Sequence, residues 1–157
     1  MTVNETGLER AKAVRIEIYK TILIGPLYAI FMLTLIYLGT TKNITAFYVI
    51  GLFFLTFFLM LMIYAPYRML KRHVYTIYAI TIENKFVSFS TFSALWIQEK
   101  KYKIFISELK IKKSIFAWYG KNTKKDGLTL LIKPEEFYLV KDFFDDYESF
   151  VNTILQI

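Results

Sequence analysis

Cysteine is absent from the 157-residue sequence, and histidine occurs only once, as His73. Without cysteine the chain has no disulfide, no cysteine-based zinc site and no cysteine nucleophile. A Ser-His-Asp triad would have to use His73, but this residue ends the basic run 68–73, where an interfacial role is expected instead. Phosphate-loop glycine spacing is missing as well. We therefore expect a protein that is not an enzyme and holds no cofactor or metal.

Charged residues are missing from two long stretches, 21–41 and 43–67. Each stretch exceeds the roughly 20 apolar residues that a helix needs to cross about 30 Å of hydrocarbon. A buried core helix is the alternative, but the remaining chain of about 90 residues is too small to surround two such helices. The first stretch is also too long for the apolar region of a cleaved signal peptide. The pattern predicts a transmembrane hairpin at 21–67, with spans at about 21–39 and 46–66.

Basic residues flank the outer ends of this predicted hairpin. The cations before the first span are Arg10, Lys12, Arg15 and Lys20, those after the second are Arg68, Lys71 and Arg72, and the connection between the spans holds only Lys42. By the positive-inside rule, both termini of this multi-pass protein are cytoplasmic, and we expect it in the cytoplasmic (inner) membrane. Neither span contains an ionisable Asp, Glu, Lys, Arg or His side chain, which argues against a transporter and favours a tether.

The segments on either side of the hairpin have different patterns. Residues 1–20 mix charges with apolar residues and predict a cytoplasmic amphipathic segment at the membrane surface. Residues 68–157 predict a mainly β domain that begins with a hairpin around the turn Glu83–Lys85. Further strands are expected near 95–98, 103–106, 109–119 and 128–133, with a turn at 120–127.

A C-terminal amphipathic helix is expected to begin at Pro134. Proline suits the first helical turn, and Glu135 and Glu136 suit the positive end of a helix dipole. Apolar residues then recur at spacings of three and four, as Phe137, Val140, Phe144, Tyr147, Val151 and Ile154. Acidic residues such as Asp142, Asp145 and Asp146 are interpreted as the solvated face of this helix and not as a metal site.

Short strands followed by one amphipathic helix resemble a pleckstrin-homology (PH)-like domain. The resemblance rests on the hairpin at 78–86, the Ile106–Ile111 segment and the Leu131–Phe137 segment. With the paired spans, the order of elements resembles bacterial PH-like membrane proteins, including the YcxB-like group. It implies a bent antiparallel sheet closed by the helix. Two details differ: Phe105 lies near the position of the usual tryptophan, and the final-strand pattern Ile-Pro-Lys reads here Ile132-Lys133-Pro134.

The C-terminal domain is basic, with 15 Lys plus Arg against 10 Asp plus Glu in residues 68–157. Basic residues near an anionic leaflet each contribute about 1 kcal/mol of binding free energy. The candidate membrane-surface or lipid contacts are Arg68, Lys71, Arg72, Lys110, Lys112, Lys113, Lys121, Lys124 and Lys125. Lysines that only aid solubility and fix topology are an equal alternative, whereas nucleic-acid binding is disfavoured because most aromatic residues have the spacing of core residues.

Three functions remain open on the sequence. The first is a membrane protein whose PH-like domain binds a protein partner or anionic lipid in the bilayer. The second is self-immunity against a membrane-active bacteriocin or toxin, and the third is an antiphage membrane effector that forms homo-oligomers through its spans.

Overall fold

The structure, a computed structural model, describes residues 1–116 and 124–155. The helices are α1 (Glu5–Gly39), α2 (Ile44–Leu59), α3 (Ala65–Val74) and α4 (Tyr147–Leu155), with a π-helical turn (Met60–Tyr64) between α2 and α3. The strands are β1 (Ile77–Glu83), β2 (Phe86–Thr91), β3 (Lys101–Phe105), β4 (Lys110–Phe116), β5 (Lys125–Ile132) and β6 (Glu135–Val140). The chain forms two compact units: a hairpin unit, Arg15–Leu70, and a β unit, Met1–Val14 with Lys71–Ile157.

Both predicted spans lie in helices that are long and apolar enough to cross a membrane. These helices are Glu5–Gly39 and Ile44–Val74, and the most apolar part of each is only 11% buried within the protein. Exposed apolar helices of this kind are compatible with lipid and not with water. Asn43 begins α2, because its side chain accepts a hydrogen bond from the Ala46 amide at 3.1 Å.

The N-terminal residues belong to the β unit and do not form a separate segment. Residues Met1–Val3 run beside β1: the Val3 amide donates to the Tyr78 carbonyl at 3.0 Å, and the Ile80 amide donates to the Met1 carbonyl at 2.9 Å. Helix α1 then begins at Glu5 and continues through residue 20 without a break. Helix α1 thus has no break at the expected boundary, residue 20, and main-chain hydrogen bonds to β1 hold the N-terminus.

Two three-stranded antiparallel sheets, in the orders β1-β2-β3 and β4-β5-β6, make up most of the β unit. The β-hairpin predicted around the turn Glu83–Lys85 is confirmed, with Ile80 of β1 opposite Phe89 of β2 and Glu83 opposite Phe86. Its turn places Asn84 at a φ of 55°, a left-handed conformation that Asn tolerates better than most residues. Strands β3, β4 and β5 confirm three further predicted strands over the described residues, and the predicted positions 117–119 lie outside them. Residues 95–98 form only a turn closed by an Ala94–Ile97 bridge.

The helix expected from Pro134 is wrong over its first half. Residues Glu135–Val140 form strand β6, paired with β5, and α4 begins only at Tyr147. Phe137 and Leu139 are fully buried and alternate with the more exposed Glu136 and Tyr138, which is the period of a strand. The spacing of 137, 140 and 144 also matches a helix, because apolar residues at 137, 139 and 140 satisfy both periods.

The core of the β unit draws on both sheets and the C-terminal segment. Ile77, Val87, Leu130 and Phe137 are fully buried and belong to one cluster with α4 residues such as Val151. A main-chain connection joins the sheets, since the Tyr138 amide of β6 donates to the Tyr75 carbonyl at 2.9 Å, just before β1. Two antiparallel sheets with a C-terminal helix agree in general with the expected architecture.

His73 is buried in the β unit and has no exposed surface. Its ring stacks on Phe92 with 5.1 Å between the centroids and 23° between the planes. The interfacial position expected from the surrounding basic residues is therefore wrong. At the end of α3 the chain turns into β1, which carries this side chain into the core.

Gly127 lies inside β5 and not at the end of a turn. A Cβ atom there would overlap the Leu139 carbonyl oxygen and would lie 2.5 Å from the Phe116 ring. The ring of Phe116 also packs edge-on against Tyr138, with centroids 5.7 Å apart. Glycine is thus required where an aromatic side chain covers the strand backbone.

Candidate functional site

The most concentrated group of predicted cations lies on strand β4. Lys110, Lys112 and Lys113 are all exposed, and β4 is an edge strand of its sheet. We call these three residues the lysine edge. Their partners on β5 are uncharged: Leu131, Thr129 and Leu128, in that order. None of the ion pairs among the described residues engages the lysine edge.

Alternation along β4 distributes the lysine edge over both faces of the sheet. Lys110 and Lys112 share one face, whereas Lys113 points to the other face with Ile115. On the side of α4, the sheet lines an open cleft of about 710 Å³ that also includes Asp126 and Glu148. The mixed charge of this cleft does not favour a single small anion. The exposed strand edge, with cations on both sides, is better suited to an extended anionic surface.

The next predicted cations in the sequence are Lys121, Lys124 and Lys125, which follow β4. Lys125, at the start of β5, forms an ion pair with Asp142, so its charge is largely compensated. Lys124 is exposed immediately before β5. Lys121 lies outside the described residues. The structure therefore places Lys124 and Lys125 next to the end of β4 in the sheet, but only the first keeps an exposed, uncompensated charge.

The cations of α3 lie in different units. Arg68 belongs to the hairpin unit, where its guanidinium lies 5.6 Å from the ring centre of Tyr64. Lys71 and Arg72 belong to the β unit. Burial raises the pKa of Tyr138 on β6, and the nearby positive charge of Arg72 opposes that rise. The Thr76 hydroxyl donates to the Arg72 carbonyl at 2.9 Å, and Thr76 pairs with Tyr138, so Arg72 lies near β6, the sheet edge opposite the lysine edge.

Three lysines that precede β4, Lys100, Lys101 and Lys103, have side-chain partners. Lys101 pairs with Glu99 at 2.7 Å, and the Lys103 ammonium lies 5.1 Å from the ring centre of Phe86. Lys100 takes part in the polar cluster described next. These contacts distinguish Lys100, Lys101 and Lys103 from the lysine edge, whose cross-strand partners on β5 are neutral.

A polar cluster around Glu135 was not predicted from the sequence. One carboxylate oxygen of Glu135 accepts hydrogen bonds from the Lys100 ammonium at 2.5 Å and the Tyr75 hydroxyl at 2.8 Å. The other oxygen accepts a short hydrogen bond from the Tyr102 hydroxyl. Both tyrosine rings pack on Phe137, with centroids 5.5 and 4.8 Å away. The cluster therefore connects β3, β6 and the segment just before β1, across the two sheets.

The protonation of this cluster follows from its geometry. Burial opposes the charge on Glu135, but hydrogen bonds from Lys100, Tyr102 and Tyr75 outweigh it and lower the pKa of Glu135 to about 2. Burial likewise opposes the charge on Lys100, and its bonds to Glu135 and Tyr75 still raise its pKa well above the ordinary value. Burial and the hydrogen bond to Glu135 raise the pKa of Tyr102. The cluster is a charge-balanced clamp that holds the sheets together.

No local pattern in the sequence indicates this clamp. Its hydrogen-bonded side chains come from distant parts of the sequence, since Tyr75 and Glu135 are 60 residues apart. Glu135 also matches the acidic first turn of a helix, which favours a different interpretation of the same residue. Among the described residues, no three His, Asp or Glu side chains come together as a metal-binding group.

No protein-family model matches the chain, and neither a curated protein nor a solved structure is significantly similar to it. Arguments about function therefore rest on the geometry of the lysine edge, the clamp and the hairpin.

Proposed function

We propose that this chain is a non-enzymatic integral membrane protein whose cytoplasmic, PH-like β unit binds the anionic surface of its own membrane through the lysine edge. The observation that carries the proposal is the placement of Lys110, Lys112 and Lys113 on one exposed edge strand, opposite uncharged residues of β5. None of the three lysines forms an ion pair with a described carboxylate, so their charges are available to lipid phosphates.

The expected strength is modest and suits a tethered domain. Three lysines at about 1 kcal/mol each contribute about 3 kcal/mol, or roughly a hundredfold change in the docking equilibrium. A membrane anchor raises the effective concentration of the β unit at the surface, so weak docking is sufficient. The two long apolar helices support such an anchor. Their lack of Asp, Glu, Lys, Arg and His between 21 and 41 and between 43 and 67 supports a tether instead of a transport path.

Edge protection is the competing explanation for the lysine edge. Lysines on an edge strand prevent pairing with strands of other molecules. That role requires no membrane and predicts no dependence on lipid charge. The two explanations are therefore separated by measuring whether the β unit responds to anionic lipid.

The experiment uses the full chain, because Met1–Val3 pair with β1 and a shortened chain without the N-terminus would lose those contacts. The chain has no cysteine, so Ile115→Cys, on exposed β4, gives a single site for a nitroxide label. The protein is reconstituted in nanodiscs of neutral lipid or of the same lipid with anionic phosphatidylglycerol. Label collision with a water-soluble relaxation agent is then measured. We expect lower accessibility in the anionic discs.

A matched pair of triple variants tests the residues. Lys110→Gln, Lys112→Gln and Lys113→Gln together are expected to restore the accessibility seen in neutral discs. The control removes the same charge from lysines outside β4, with Lys85→Gln, Lys101→Gln and Lys133→Gln, and is expected to keep most of the protection. Equal accessibility in both lipids, or equal loss in both triple variants, would refute the proposal and turn attention to a protein partner.

A further inference from the structure

The two helices of the hairpin unit meet at a point where each has an irregularity: a proline inside α1, and the π-helical turn between α2 and α3. A Cβ atom added to Gly25 of α1 would lie 3.6 Å from Met62 Cβ, which is ordinary van der Waals contact. Pro26 follows Gly25 within α1, and Met62 lies in the π-helical turn. Proline has no amide hydrogen, and its ring crowds the carbonyl four residues earlier. Pro66, in α3, lies four residues after Met62, so its ring crowds the Met62 carbonyl. This crowding explains the π-helical turn at Met62.

This irregular crossing leaves a cleft between the helices. The cleft has a volume of about 280 Å³ and is lined by Lys20, Thr21, Ile24, Gly25, Tyr28 and Met62. The hydroxyl of Thr21 donates to the Glu17 carbonyl at 2.9 Å within α1. Lys20 is the one charged residue among the described lining, which presents almost no polar surface to a ligand. The other walls are apolar.

We infer that this cleft binds an anionic phospholipid, with the phosphate at Lys20 and a stretch of acyl chain against Ile24 and Met62. The inference rests on the membrane placement of the hairpin in the proposed function, but not on the lysine edge. At 1.5 Å per residue, Lys20 lies about 7.5 Å along the helix from Gly25, and Arg68 lies about 9 Å from Met62 on the partner helix. Both cations thus lie beyond the same side of the crossing, where a headgroup would be.

Both the charge and the size of the cleft favour an anionic phospholipid as its occupant. A cleft in a membrane-spanning hairpin is filled by lipid when protein does not fill it, because water has few polar partners there. The volume of the cleft, about 280 Å³, is about nine times the 30 Å³ that a water molecule occupies. A cleft of this size accommodates part of one acyl chain but not a second helix. The single lysine at the cleft selects a negative headgroup over a zwitterionic one.

The test is a lipid titration of the purified full chain in detergent, read by native mass spectrometry. Phosphatidylglycerol and phosphatidylcholine with identical acyl chains are the probes. We expect tighter binding of phosphatidylglycerol, and we expect Lys20→Gln to weaken it about fivefold. Lys42→Gln removes the same charge from the connection at the far end of the hairpin and is expected to leave this binding unchanged.

A second pair of variants tests the cleft. Gly25→Leu places a side chain in the cleft and is expected to weaken both lipids. Gly51→Leu is the control, because a Cβ at Gly51 would meet nothing within 4 Å. Equal binding of the two lipids, or equal effects within either pair of variants, would overturn the inference.

The lysine-edge triple variant separates this inference from the proposed function. It is expected to bind phosphatidylglycerol in the titration as the unchanged protein does, while losing membrane docking in nanodiscs. If the triple variant loses the lipid in the titration and Lys20→Gln keeps it, the cleft is not the site and the inference fails. If Lys20→Gln loses it and docking in nanodiscs is absent, only the proposed function fails.

Discussion

Replacing Glu135 with glutamine is expected to destabilise the β unit in a way that depends on pH. The carboxylate accepts hydrogen bonds from Lys100, Tyr75 and Tyr102, so it satisfies donors that come from three separate parts of the chain. Glutamine keeps the size but loses the charge, and its amide nitrogen cannot accept. At least one donor is left without its acceptor and the Lys100 ammonium without its counter-charge.

The magnitude follows from the pKa of Glu135. A fall from the ordinary value of 4.5 to about 2 corresponds to about 3 kcal/mol of stabilisation at neutral pH. The side chains of Glu135 and Lys100 are 26% and 29% exposed, so solvent screening reduces this figure. We expect an effective contribution of about 1–2 kcal/mol.

The sign of the pH dependence is determined by the same shift. The folded state holds the carboxylate at a lower pKa than the unfolded state, so the contribution is fully present above pH 4.5. It is lost progressively as the pH falls from 4.5 toward 2. Glu135→Gln has no such contribution to lose, and its stability is expected to decline less over that range.

The assay is urea unfolding of the reconstituted full chain, followed by near-ultraviolet circular dichroism of the clustered aromatic residues, at pH 7 and pH 3. Glu136→Gln is the matched control, because Glu136 is exposed on the same strand. We expect Glu135→Gln to cost about 1–2 kcal/mol at pH 7 and about half of that or less at pH 3. Equal costs for the two variants, or a Glu135→Gln cost that does not change with pH, would refute the clamp.

Three further predictions concern the backbone and topology. Gly127→Ala is expected to cost about 1–3 kcal/mol in urea unfolding, because the new Cβ would overlap the Phe116 ring; an unchanged midpoint would contradict this packing. Val3→Pro removes an amide donor to β1, and we expect faster hydrogen exchange at the Ile80 amide, which bonds to the same N-terminal segment; unchanged exchange would show that the segment is not paired. A reporter fused after Ile157 is expected to be active only as a cytoplasmic fusion, and periplasmic activity would overturn the orientation.

Elements with one strong local signal were predictable from the sequence. The two uncharged stretches lie in helices long enough to cross a membrane, and the hairpin around Asn84 forms where β-branched residues flank a turn. Strand β6 was not predictable in this way, because apolar residues at 137, 139 and 140 fit both a helix and a strand. Pairing with β5, a tertiary interaction, decides between the two.

Candidate residues were predictable only where charge density was the signal. Lys110, Lys112 and Lys113 stand within four positions and remain together on one strand. Lys125 has the same local appearance, yet its pairing with Asp142 depends on how β5 meets the segment after β6. The clamp at Glu135 and the cleft at Lys20 depend on contacts between distant segments, and neither has a local pattern.

Salt dependence at the lysine edge tests the proposed membrane docking most directly. With the label at position 115 of the full chain, accessibility is measured in anionic and neutral nanodiscs as salt is raised from about 0.05 M to about 0.5 M, where the Debye length falls from about 14 Å to about 4 Å. We expect accessibility in anionic discs to rise with salt until it equals the value in neutral discs. Accessibility that is the same in both discs at every salt concentration would contradict docking through the lysine edge.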